Sequence, residues 1–221
     1  MTEVAEPVYR KRISYQAILL GGFATLAAAL LIVGNNATRD DIGRRHADDL
    51  LQSLAQVLPD ALHDNNLLDS TVVVDDAQGK PLTVYRATKD HRPTGFAWIT
   101  KGQGYGGEIA LILAVDPTGE LLGVRVLSHS ETPGLGDRIE AQKSQWILRF
   151  TGRSLQNTPE SEWAVKKDGG RFDQFSGATI TPRGVVKAVH EGLLFFQTHR
   201  SEIAATADAG NASHSSDEVT Q

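Results

Sequence analysis

The chain has no cysteine, one methionine and few aromatic residues, 6% of 221 positions. Without cysteine it can build no disulfide, no thiolate metal site and no iron–sulfur cluster from its own side chains. That absence fits either side of a membrane. A positive surplus is also missing: 22 Lys and Arg stand against 27 Asp and Glu, a formal charge of -5 and a pI near 5.8. This argues against a nucleic-acid partner, which needs a basic footprint. The seven histidines, at 46, 63, 91, 129, 190, 199 and 214, show no metal-ligand spacing, and no internal repeat is visible. What is present is a hydrophobic fraction of 40%, enough for the core of one ordinary domain with extras, or of two small ones.

Residues 13–33, ISYQAILLGGFATLAAALLIV, form a run without charge. At a helical rise such a run reaches about 30 Å, the thickness of a bilayer's hydrocarbon core. Arg10, Lys11 and Arg12 precede it; Asn35, Asn36, Arg39, Asp40 and Asp41 follow. The basic cluster puts the N-terminus in the cytoplasm and the rest of the chain outside it. A cleaved signal peptide has a shorter apolar region and a small-x-small site, and Asn35-Asn36-Ala37 is a poor one. The reading is therefore a retained anchor at 13–33, after a cytoplasmic N-terminus at 1–12 and before a membrane-proximal helical segment at 34–70.

From Ala37 to about His63 the apolar spacing is helical, broken near Pro59. Strands are predicted at 71–74, 82–87, 95–100, 109–115 and 121–127. Asp116-Pro117-Thr118-Gly119 suits a type I turn, so the last two strands form an antiparallel hairpin. Residues 137–150 read as a helix with Asp137 as a possible cap, and 182–197 as another, with Thr181 as N-cap and Pro182 at its first position. The fold class is α+β: a single N-terminal transmembrane helix, then one domain over 71–200 with a mixed or antiparallel sheet and flanking helices. Residues 201–221 turn to Ala, Ser, Asp, Glu, Asn and Gly and read as a disordered tail.

Two constellations carry chemistry. Asp173-Gln174-Phe175-Ser176-Gly177-Ala178-Thr179 reads D-x-x-S-G-A-T just before a helix start. Small residues there admit a phosphate and an enzyme to the backbone, and the helix's free N–H groups favour an anion. Arg183 adds a cation. The bland alternative is an ordinary loop and cap. The second constellation is Glu131-Thr132-Pro133-Gly134-Leu135-Gly136, a tight loop leaving the predicted hairpin, whose backbone N–H groups suit a ligand rim. Two further motifs weaken on inspection. Gly102 to Gly107 contains G-x-G-x-x-G, but a short apolar strand follows where a dinucleotide site needs a helix. Ser128 and His129 are hydrolase residue types, but neighbours on a strand end point to opposite faces.

The two constellations together are specific. With Gly104-Tyr105-Gly106-Gly107, Gly123-Val124-Arg125-Val126, His129, Trp146, Phe150 and Asp168-Gly169-Gly170, the chain resembles the G component of the Rnf (Rsx) ion-translocating electron transport complex over about residues 13–197. The C component of the sodium-translocating NADH:quinone reductase is similar. The resemblance implies FMN joined through a phosphoester to Thr179, supplied from FAD by a Mg-dependent flavin transferase. It implies a periplasmic FMN-binding domain held at the bacterial inner membrane. That domain would relay electrons among other membrane subunits of the complex, with no catalytic site of its own. Beside it, Glu131, Thr132, Gly134, Leu135, Gly136, Trp146, Thr181 and the Ser176-Gly177-Ala178 run are candidate flavin contacts. Asp173, Ser176, Gly177 and Ala178 are candidates for transferase recognition. Trp146 is alternatively core, and Asp173 alternatively a turn residue. Three other functions stay open: the quinone-reductase component, a non-redox anchored module, and a hydrolase using Ser128 and His129.

Overall fold

The computed structural model describes residues 13–76 and 78–212. The basic cluster Arg10 to Arg12 and the end of the expected tail, 213–221, lie outside the described residues. Two compact units are distinguished, residues 1–49 and 50–221.

Helix α1 runs over Ile13–Val57. Within the first unit its apolar stretch Tyr15–Val33, 19 residues with a mean hydropathy of 2.2, has none of its residues buried and is long enough to cross a membrane. Leu20, Phe23, Leu26, Leu30 and Leu31 all point outward. Thr25 Oγ1 donates back to the Gly21 carbonyl at 2.8 Å, which removes its polar hydrogen from the surroundings.

The second unit is built on five strands: β1 (Thr71–Asp75), β2 (Pro81–Lys89), β3 (Arg92–Gln103), β4 (Glu108–Val115) and β5 (Leu121–Ser128). They pair in chain order, every neighbour antiparallel, so the sheet is antiparallel rather than mixed. Each predicted strand is found, extended by a residue or more at one or both ends. The β4–β5 turn closes on Asp116, whose Oδ1 accepts the N–H groups of Thr118 and Glu120 at 2.8 and 2.9 Å, while Gly119 takes the left-handed conformation (φ 93°).

Alternation along the strands divides the core in two. One face sets Val84, Phe96, Trp98, Leu111, Leu113 and Val124 against helix α2 (Ile180–Ala212). Trp98 stacks on Phe196 at 5.9 Å and 8°. The other face sets Ala87, Ala97, Ile112 and Ala114 against Leu54, Val57, Leu58 and Leu67, from the end of α1 and the segment after it. Small residues on this face let the α1 end approach closely. Pro59 stops α1 at Val57, near the expected break, and a single 3-10 turn (Asp60–Leu62) follows.

Three expectations are corrected. Residues 137–150 are not one helix but two 3-10 turns, Asp137–Ile139 and Trp146–Phe150. Between them Ser144 Oγ donates to the Arg138 carbonyl at 2.6 Å and accepts the Trp146 N–H at 3.1 Å, replacing the helical ladder with side-chain bonds. Asp137 does not cap; its carboxylate turns back to the Gly134 N–H and to Lys143 at 2.9 Å. The tail does not begin at Ser201. Helix α2 continues to Ala212, and Ile203 is fully buried in the core; an Ala-rich composition favours helix as readily as disorder.

Candidate functional site

The two motifs meet. The loop after β5 and the run before α2 lie side by side, with a Cβ at Gly177 falling 3.6 Å from Leu135 Cδ2. Gly134 and Gly177 take φ of 79° and 81°, so each turn needs glycine. Thr132, Gly134, Leu135, Ser176 and Gly177 are exposed, and Ala178 and Thr179 half-buried. Tyr105, Leu135 and Ile180 add exposed apolar surface, 72%, 43% and 47% accessible.

The two threonines differ. Among the described residues the Thr179 hydroxyl has no hydrogen-bond partner, whereas its carbonyl accepts the Arg183 N–H at 3.4 Å as α2 begins. Thr181 is completely buried and its Oγ1 donates to Glu131 Oε2. The expected N-cap at Thr181 is therefore incorrect. The helix starts at Ile180, and the Thr181 side chain is spent on a tertiary bond.

Glu131 is likewise turned inward rather than lining a surface. It is 5% exposed, and its Oε1 accepts the Gly106 N–H at 2.8 Å. Its own N–H donates to His129 Nδ1 at 3.0 Å, so Nδ1 is unprotonated and Nε2–H donates to Glu140 Oε1 at 2.9 Å. Glu140 and Asp137 share Lys143 at 2.7 and 2.9 Å. The Lys143 bond first, then the His129 bond, holds the Glu140 carboxyl below its ordinary range. Asp137 is lowered too, chiefly by the Gly134 N–H and then by Lys143, although its Oδ1 is buried without a partner among the described residues. His129 is thus part of the loop's scaffold, bonded away from Ser128.

Trp146 belongs to the core. It is 5% exposed, meets Phe150 and Phe175 edge-on at 5.4 and 5.2 Å, and donates Nε1–H to the Asp173 carbonyl at 2.7 Å. It also lines a cavity of about 400 Å³ with Arg138, Leu148, Arg149, Asp173 and Phe175. Arg138 lies over the Phe175 ring, 5.2 Å from its centre. Asp173 is held by Lys166 at 2.5 Å and by Arg149; the Lys166 bond foremost lowers its carboxyl. Arg183 is not turned to Thr179: it makes a two-pronged pair with Asp168, both contacts 2.5 Å. The inward pair Glu131–Thr181 and the Arg138–Phe175 contact were missed from sequence, where only the proximity of each residue to a motif was visible.

The residues fit a phosphate-tethered flavin in kind: a free secondary hydroxyl at a helix start, glycine on either side of the approach, and a partly aromatic cavity nearby. Residues 104–194 match the FMN-binding domain family. The G component of an ion-translocating oxidoreductase complex from Cereibacter sphaeroides is 50% identical, over 85% of this chain and 86% of its own. The Stutzerimonas stutzeri counterpart is 49% identical, over 85% and 82%. This chain belongs to that G-component family. Among solved structures, that of Shewanella oneidensis NqrC covers 64% of this G-component chain and 75% of its own, with 24% identity and a TM-score of 0.46.

Proposed function

We propose that this protein is a membrane-anchored flavoprotein that relays electrons through FMN esterified to Thr179, within a complex that couples electron transfer to ion translocation. The observation carrying the assignment is the contrast between the two threonines. Among the described residues the Thr179 hydroxyl has no partner just before α2, while that of Thr181 is buried on Glu131. During maturation Thr179 Oγ would be the nucleophile toward the FMN phosphate of FAD, with AMP as the leaving group and the hydroxyl proton passing to the flavin transferase. FMN, when bound, supplies the redox chemistry.

The protein's residues bind and orient. The first turn of α2 offers N–H groups and a positive dipole end to the phosphate. Leu135 and Ile180 give apolar cover beside it, and Ser176, Gly177 and Ala178 leave the backbone open to the transferase. The ion pairs of Asp173 shape the start of the recognised run. The exposed apolar stretch Tyr15–Val33 anchors the chain in the inner membrane. With the basic cluster at 10–12 on the cytoplasmic side, the second unit faces the periplasm. A tether suits that location, since a released flavin is hard to replace there. One anchor and one flavin cannot pump ions, so the other membrane subunits are required partners.

The test is co-expression with a flavin transferase, followed by a denaturing gel read for flavin fluorescence. The band should fluoresce, lose its fluorescence with Thr179→Val, and keep it at end point with Thr181→Val. A dark wild-type band, beside a control substrate that labels, would move the assignment to a non-redox anchored module.

A further inference from the structure

We propose that Glu131 is the positioning residue for flavin attachment: its buried carboxylate, acting through Thr181, presents the Thr179 hydroxyl to the transferase. The inference rests on Thr179 being the attachment site, and deepens it.

The structure gives this carboxylate an unusual setting. Glu131 is almost wholly buried, yet among the described residues it has no cationic partner. Its two oxygens are divided between two segments, Oε1 to the Gly106 N–H of the β3–β4 turn and Oε2 to the Thr181 hydroxyl in the first turn of α2. A buried carboxyl group held by two neutral donors is a costly way to hold a core together, and an apolar residue of the same size serves stability as well. What its two oxygens add is a directional bond to each of two segments.

The surroundings are cut to this arrangement. A Cβ at Gly104 would overlap Glu131 Oε1, and one at Gly136 would fall 2.8 Å from Oε2 and 2.9 Å from Thr181 Oγ1. Gly106 lies so close to the Ser130 carbonyl that no side chain fits there. On the other side of the turn, a Cβ at Gly184 would overlap the Gln103 carbonyl, and one at Gly102 would lie 2.7 Å from the Gly184 carbonyl. The first turn of α2 is therefore seated on the end of β3 and clamped by Glu131 through Thr181. Thr179 is two residues upstream of the clamp, and its hydroxyl is left free. Small displacements of a nucleophile cost large factors in rate, so a clamp here governs how fast Thr179 reacts, not whether the chain folds.

The experiment measures initial rates of covalent labelling of the full-length chain in detergent, with FAD, Mg²⁺ and flavin transferase, as a function of acceptor-chain concentration. All variants are assayed well below their melting temperatures. Glu131→Gln and Thr181→Val should each lower kcat about tenfold while the KM for the chain stays within about twofold, because the recognised surface at 173–178 is untouched. Thr181→Ser, which keeps the hydroxyl, should retain the wild-type rate. The double variant Glu131→Gln/Thr181→Val should be no slower than its slower parent, since both break one linkage. Wild-type rates in the two single variants, losses carried by KM, or losses that multiply in the double variant would overturn the positioning role while leaving Thr179 as the attachment site. A wild-type chain that takes no flavin from an active transferase would overturn both.

Discussion

Around Glu131, glycine at positions 104 and 136 leaves the room that its carboxyl group occupies, so the sensitive substitutions are small ones. Gly104→Ala inserts a methyl group against the Glu131 carboxylate. It should cost about 1–3 kcal/mol in chemical denaturation, and a loss below the error of that measurement would show the turn can move aside. The ionisable groups around the site behave differently. Asp173, Asp168 and Glu140 all have carboxyls held below their ordinary range, by Lys166, Arg183 and Lys143 respectively. A lowered folded-state pKa adds stability that is complete above the unfolded carboxylate range, about 4, and is lost as pH falls through the folded values. The melting temperature should therefore hold from neutrality down to about pH 5 and fall below about pH 4. A fall centred near pH 6 would show that these carboxylates do not govern the acid limb. Individually the exposed pairs contribute little: Asp173 has partners 57% and 58% accessible, so Asp173→Asn should cost no more than about 1 kcal/mol.

Among the elements, α2 does two jobs. Its first turn follows directly on the candidate threonine, and its later turns cover one face of the sheet, with Val185, Val189, Leu193, Phe196 and Ile203 all buried. Ile203 lies in the segment that composition alone assigns to a tail. Ile203→Ala should cost about 2–4 kcal/mol in urea denaturation, and a neutral result would mean that the last turns of α2 do not belong to the core. Strand β2 carries the opposite case. Among the described residues Arg86 has Nε and Nη1 buried without partners. Because orphaned donors cost about 1–3 kcal/mol, Arg86→Met should leave the melting temperature unchanged or raise it; a clear drop would mean the guanidinium packs to more effect than its missing bonds suggest.

For the whole molecule, the contrast between the two units governs behaviour in solution. The span Tyr15–Val33 is bare apolar helix, whereas the second unit closes its own core on both faces of the sheet. Full-length chain should stay with membranes through carbonate and high-salt washes and need detergent for release. Recovery in the wash would remove the anchor from the proposed function. Protease added to intact spheroplasts should reach the second unit if it faces the periplasm, and protection there would reverse the orientation.

How much of this was legible follows from the range of the interactions involved. The strands, the Asp116 turn, the apolar span and the adjacency of S-G-A-T to a helix start depend on neighbours a few residues away, and periodicity and turn chemistry reveal those directly. The break of 137–150 into two short turns was not legible, because burial of Trp146 against Phe175 and side-chain bonds at Ser144 overrode a local helical pattern. Nor was the inward turn of Glu131, whose partner Thr181 is fifty positions away. The amino-acid order by itself determined the family, the α+β class and the candidate threonine. Only the tertiary structure decided which of the neighbouring hydroxyls is free, because that depends on which buried acceptor the folded chain brings to Thr181.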